Sequence, residues 1–214
     1  MKHGLDYARS AASWAGVSLD EAQCNLLEGY ADWLASEAIP AGGLGPREAE
    51  RVWDRHIADS LTFACGLPSD GVVVDGGTGV GLPGLPLAIA RPDLTFWLVD
   101  RGGRRTRLIE RALAILDLPE VVVIRRDIYD LSGRFNGLVF RGALPKGEIP
   151  ASAQRLLAPG GTCVVGLSRR PETPDVEEVE GMVQSLDMTM ETIRVPDEVL
   201  DGPAWLLKIT NSGN

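Results

Sequence analysis

Several things are scarce in these 214 residues, and each scarcity excludes something. No apolar run approaches the roughly 20 residues that a membrane span requires. The N-terminal "MKHGLDYARS" lacks the apolar centre of a secretory signal. There are three cysteines, Cys24, Cys65 and Cys163, odd in number, far apart and set among apolar neighbours. Their spacing matches no metal site or disulfide framework, so they are expected to be reduced, buried thiols of a cytoplasmic protein. No internal repeat and no low-complexity tract is present. Positive charge is also in deficit: the formal net charge is −9, which argues against holding nucleic acid by bulk electrostatics.

What is present is an ordinary globular composition, 44% hydrophobic and 24% charged, long enough for one α/β core with a small appendage. The charge is uneven. Basic residues outnumber acidic ones between Arg91 and Lys146, with Arg101, Arg104, Arg105, Arg107 and Arg111 clustered. From Glu172 to Asp201 the only basic residue is Arg194.

Leu26, Leu27, Tyr30, Trp33 and Leu34 form an amphipathic helical stripe, broken by "IPAGGLGP" at 39–46. A second helical piece is expected over Arg47–Leu61. Strand and helix then alternate: Val72–Asp75 and Leu85–Ala90, Thr95–Asp100 and Arg105–Leu116, Val121–Arg126 and a turn. Gly137–Arg141 and Ile149–Leu157 follow, then Thr162–Gly166 and Val176–Leu186, with "AWLLKIT" (204–210) as a last strand. Short β-branched runs between helices mark parallel strands covered on both faces. The fold class is therefore α/β, a doubly wound, mostly parallel, Rossmann-like sheet. An N-terminal helical extension is expected over 1–66 and a single compact unit over 67–214.

In such a sheet, ligands sit beyond the carboxyl ends of the strands. There lies "VVVDGGTGVGLPG" (72–84). Gly79, Gly81 and Gly84 satisfy the dinucleotide pattern G-x-G-x-x-G, but that pattern alone is weak. Asp75 closes the strand just before the glycines, and Pro83 stands where a pyrophosphate site needs free N–H donors. S-adenosylmethionine, which carries no phosphate, suits the stretch better. Asp75 suits its ammonium, Gly77, Gly79 and Gly81 allow backbone approach, Asp100 suits the ribose hydroxyls and Asp127 the adenine. Capping of helices and turns is the structural alternative for all three acids.

On these residues the chain resembles a known family. "DGGTGVGLPGLPLAIARPDLTFWLVD" (75–100), "RHIADSL" (55–61) and Arg141 after "FNGLVF" resemble the bacterial 16S ribosomal RNA guanine-N7 methyltransferases, the glucose-inhibited division protein B family. The likeness covers about residues 50–145, and "LLAPGGTCVV" (156–165) fits class I methyltransferases in general. The resemblance implies cofactor contacts at Gly77, Leu82, Asp127, Ile128 and Arg141. It places His56, Asp59 and Ser60 at the outer wall or the RNA-facing side. Its implied substrate is guanine 527 of 16S ribosomal RNA or the small ribosomal subunit, acted on by a monomer without a membrane. The clustered arginines, Arg104 and Arg105 among them, with Arg125, Arg126, Arg169 and Arg170, are candidates for contacts to backbone phosphates. The chain departs from the family in "PAGGLGPREAERVW", in "RGGRRTR", at Asn136, and in "LSRR" where the family has a lysine-glycine step. Guanine N7 already has a free lone pair, so its methylation removes no proton and no catalytic acid or base is assigned. Methyl transfer to a small molecule or protein, and a non-catalytic paralogue keeping the pocket, are the alternatives; NAD-dependent oxidoreduction ranks behind both.

Overall fold

A computed structural model describes residues 4–213. Helix α1 (Gly4–Trp14) and helix α2 (Glu21–Trp33) open the chain. In α2 the sequence supplies its own start. Asp20 accepts from the Gln23 amide at 2.8 Å, and the Gln23 side chain accepts from the Asp20 amide at 2.9 Å. That reciprocal box satisfies two donors that a helix start leaves without intrahelical partners. The Gln23 side-chain Nε2 also donates to the Ile89 carbonyl at 2.9 Å, tying α2 to the helix after the first strand. The expected second helix is present but irregular. It runs through a 3-10 turn (Ala49–Arg51), a π segment (Val52–Ala58), one α turn (Asp59–Leu61) and another 3-10 turn (Thr62–Gly66), together called α3.

Among the described residues the sheet has seven strands: β1 (Val72–Gly76), β2 (Thr95–Asp100), β3 (Val121–Arg125), β4 (Phe135–Arg141), β5 (Leu157–Ser168), β6 (Met188–Val195) and β7 (Ala204–Asn211). Their order is β3-β2-β1-β4-β5-β7-β6. The first five are mutually parallel, and β7 runs antiparallel between β5 and β6. Crossovers are made by α4 (Gly84–Ala90), α5 (Gly103–Leu116) and α6 (Ile149–Leu156). Helix α7 (Glu177–Ser185) leads to β6, and the short α8 (Asp197–Leu200) leads to β7. Helix α5 stops where Asp117 adopts a left-handed conformation, φ 49°.

Successive strand residues face opposite sides, so the sheet divides the core in two. Val73, Phe96, Leu98, Val139, Val164 and Leu206 pack under α4, α5 and the N-terminal helices. Val74, Val99, Leu138, Phe140, Val165 and Leu207 pack under α6 and α7. The N-terminal helices thus share one apolar cluster with half of the sheet. Three of these elements were not expected from sequence, α1, β6 and α8, and β5 is longer than the expected Thr162–Gly166. Cys24 and Cys163 are buried as expected, whereas Cys65 is half-buried; all three are free thiols. Among the described residues no helix is long and apolar enough to cross a membrane.

Candidate cofactor site and the adjoining charged cavity

The glycine stretch leaves β1 through a network centred on two buried carboxylates. Asp75 is 1% exposed. Its Oδ2 accepts from Thr78 Oγ1 at 2.6 Å and from the Gly84 amide at 2.7 Å, so it staples the loop to the first turn of α4. Its Oδ1 is buried with no partner. Burial pushes this carboxyl up to about 6, against the opposing pull of Thr78, the Gly84 amide and Arg141. Asp100, at the end of β2, holds two loops at once. Oδ2 accepts from the Gly79 amide at 3.0 Å and Oδ1 from the Gly102 amide at 2.7 Å. The amides of Gly77 and Thr78 donate to the Val99 carbonyl at 2.8 and 3.1 Å. Behind the loop, the buried Tyr30 hydroxyl of α2 donates to the Val80 carbonyl at 3.0 Å.

This network shapes a cavity of about 300 Å³ beyond the ends of β1, β2 and β3, extending to the loop after β4. It is lined by Gly77, Asp100, Asp127, Ile128 and Tyr129 on one side and Ala143 on the other. Gly77 has φ +70°, and a Cβ there would lie 2.5 Å from the Ala143 Cβ, so the backbone itself forms the cavity wall. Asp127 accepts from the Tyr129 amide at 3.2 Å and lies 3.5 Å from Arg101; Ile128 makes a buried apolar floor. Arg101, Arg105 and Arg126 also line it, and the two carboxylates face the neutral glycine wall. These carboxylates suit a nucleoside bearing hydroxyl and amine donors.

Of the cofactor residues expected from sequence, Gly77, Asp100, Asp127 and Ile128 line this cavity, as does Arg105, which lies 3.5 Å from Asp100. Asp75, Gly79, Gly81 and Leu82 are not among its lining residues, and Leu82 is buried in the core under α4. Arg141 opens on a second cavity, of about 330 Å³, at the ends of β4, β5 and β7. Gly142 lines both.

The second cavity gathers His56 and Asp59 from α3, Arg141 from β4, Arg169 from the end of β5 and Trp205 from β7. Asp59 is buried between two guanidinium groups, Arg169 at 3.0 Å and Arg141 at 3.4 Å. Ser60 is fully buried; its hydroxyl donates to the His56 carbonyl at 2.5 Å and lies 3.4 Å from Arg141. His56 Nε2 lies 2.9 Å from Glu48 Oε2, while its Nδ1 is buried without a partner. Burial, then Arg141, holds this imidazole below its ordinary value despite Glu48, so it is neutral at pH 7. Arg104 turns away from both cavities and donates to the Ala41 carbonyl in the loop after α2. Tyr129, Phe63, Arg55 and Trp205 were not singled out from sequence. Tyr129 alone carried a signal, as an aromatic directly after a strand-end acid.

The family model described as "rRNA small subunit methyltransferase G" matches residues 23–193. The chain belongs to this family. Members similar to it include a ribosomal RNA small subunit methyltransferase G of Frankia casuarinae, 36% identical over 193 residues, which covers 86% of this chain and 71% of that protein. Another, from Acidothermus cellulolyticus, is 35% identical over 136 residues, covering 64% of this chain and only 61% of the relative's length. Among solved structures, "M. jannaschii TYW2 in complex with AdoMet" superposes with a TM-score of 0.53 at 15% identity, covering 72% of this chain and 74% of that one. That likeness concerns the fold alone, the doubly wound, mostly parallel sheet that the sequence led one to expect.

Proposed function

We propose that this member of the methyltransferase G family transfers the methyl group of S-adenosylmethionine to N7 of a guanine in 16S ribosomal RNA, the guanine at position 527 by family resemblance. The observation that carries the cofactor reading is the cavity between the Gly77 backbone and Ala143, with Asp100 and Asp127 at its rim and Ile128 as its floor. Asp100 accepts from the ribose hydroxyls with the lone pairs that the Gly79 and Gly102 amides leave over. Asp127 and the neighbouring backbone meet the adenine above Ile128. Arg141, next to the shared Gly142, supplies the cation for the methionine carboxylate. Asp75 acts indirectly, holding the glycine loop in shape.

When bound, the cofactor supplies an electrophilic sulfonium methyl. The protein has no proton to remove, because N7 attacks with a lone pair it already carries. Its work is to align N7 with that methyl, an orientation effect worth up to roughly 7–11 kcal/mol in ideal cases. The target base enters through the second cavity, where Trp205 and Phe63 offer apolar surface and the acidic Asp59 is neutralised by arginines. Positive charge develops on the purine during transfer, and a neutral His56 adds no further cation to a cavity that already holds Arg55, Arg141 and Arg169. Arg101, Arg105 and Arg126 at the first cavity meet the RNA backbone, which locates the substrate without reading its sequence. On a −9 body this binding is salt-sensitive and draws on the ribosomal context.

Residues 1–66 and 67–214 work as one unit, a reading supported by the apolar cluster they share. The protein acts as a monomer in the cytoplasm. Calorimetric titration with S-adenosylmethionine, followed by methyl transfer to small ribosomal subunits with and without their native N7 methylation, tests the proposal. Absence of cofactor binding by folded protein refutes it.

A further inference from the structure

Asp59 is shared unequally. Arg169 holds it at 3.0 Å, and the same guanidinium donates to the Leu200 carbonyl at 3.0 Å, which fixes Arg169 between α3, β5 and the end of α8. Arg141 approaches the other carboxylate oxygen at only 3.4 Å, with Ser60 Oγ at the same distance as its second neighbour. Both arginine side chains are largely buried, 21% exposed for Arg141 and 16% for Arg169, and Asp59 is 10% exposed. One carboxylate between two cations leaves one positive charge uncompensated. The looser of the two contacts belongs to Arg141, which stands beside Gly142, the residue common to both cavities.

A buried carboxylate cannot be left without a partner, since an unpaired charge in that environment is strongly destabilising. If Asp59 had Arg141 alone, Arg141 could take an incoming anion only by abandoning a buried acid. Arg169 removes that conflict. We propose that Arg169 is a positioning residue: by keeping Asp59 compensated, it frees Arg141 to bind the carboxylate of the cofactor's methionine portion. This rests on the assignment of Arg141 to that carboxylate. It makes the "LSRR" segment, where the family pattern differs, part of the cofactor site without touching the cofactor.

The test uses two probes that differ in that carboxylate. S-adenosylhomocysteine carries the amino acid, and 5′-methylthioadenosine is the same nucleoside thioether without it. Both are titrated calorimetrically into wild type, Arg169→Met and Arg169→Met/Asp59→Asn. Arg169→Met is expected to bind S-adenosylhomocysteine about tenfold more weakly, equivalent to about 1.4 kcal/mol. Its affinity for 5′-methylthioadenosine should stay within about twofold of wild type, which shows that the nucleoside pocket is folded. Removing the acid in the double variant should restore most of the lost affinity, to within about threefold of wild type, because Arg141 then has no carboxylate competing for it.

Equal loss for both probes would reduce Arg169 to a structural residue and overturn the proposal. So would an unchanged affinity in Arg169→Met, or a double variant no better than the single one. The underlying readings fail differently. Wild type that binds both probes equally well removes Arg141 from the carboxylate, and folded wild type that binds neither removes the methyltransferase reading; the proposal falls with either.

Discussion

Replacing Gly77 with alanine tests how the cofactor cavity is built. Two costs can be worked out. Gly77 has φ +70°, a conformation that costs an L-residue roughly 1–2 kcal/mol. The new Cβ would also lie 2.5 Å from the Ala143 Cβ, well inside ordinary carbon contact, so the loop after β4 must retreat by roughly 1 Å. Overpacking of this kind costs roughly 1–3 kcal/mol, which brings the total to about 2–5 kcal/mol. At roughly 2–4 °C per kcal/mol for a chain of this size, the melting temperature should fall by roughly 4–20 °C. Gly79→Ala is the matched control. Its φ is +65°, but nothing lies within 4 Å of the added Cβ, so it bears only the conformational cost. Thermal melts and S-adenosylhomocysteine calorimetry on both variants distinguish the two contributions. Gly77→Ala should lose nucleoside affinity because the Ala143 wall moves, whereas Gly79→Ala should keep most of it. Equal melting temperatures and equal affinities for the two variants would show that the Ala143 wall yields freely and does not shape the site.

Other expectations follow from the buried polar groups. The Asp75 carboxyl is raised from 3.8 to about 6, so wild type loses about 3 kcal/mol of stability as pH rises through that window. Asp75→Asn keeps an acceptor for Thr78 and Gly84 and cannot ionise, so its stability relative to wild type should climb between pH 4 and pH 7; a pH-independent difference in melting temperature would contradict this. His56 runs the other way. Its lowered value means that stability is present above pH 6.5 and is lost as pH falls below it, and His56→Gln should flatten that acid limb in denaturant titrations. Tyr30→Phe leaves the Val80 carbonyl without its donor and should cost about 1–3 kcal/mol in the melt, with weaker cofactor binding because the glycine loop loosens.

The parallel half of the sheet was legible because each strand is a short apolar run followed by a helical stripe. β6 was not, because "MTMETIRV" alternates with polar residues, as an edge strand with one solvated side does, and it lies within the acidic stretch Glu172–Asp201. α1 was missed because its buried face is Ala8, Ala11 and Ala12, which give no contrast in a hydropathy pattern. In the site, Gly77, Asp100 and Asp127 could be gathered because strand ends in a doubly wound sheet converge, whereas Ile128 came from the family resemblance. Asp75 could be placed at the loop, yet whether it faced ligand or backbone depended on the fold: its Oδ2 is committed to Thr78 and Gly84. The contacts of Asp59 with Arg141 and Arg169 span 82 and 110 residues, a separation over which spacing carries no information.

The placement of β7 bears on how the molecule can be made. Translation delivers β5 and then β6, but these two strands are not neighbours: β7, synthesised after both, lies between them and is the only strand paired with β6 among the described residues. A nascent chain stalled before Ala204 therefore presents β5 with one open edge and β6 with no sheet to join. Open edges of this kind invite pairing with other chains. The parallel strands can pair before β7 is made, but closing the sheet must await β7, and until then the β5 edge stays open.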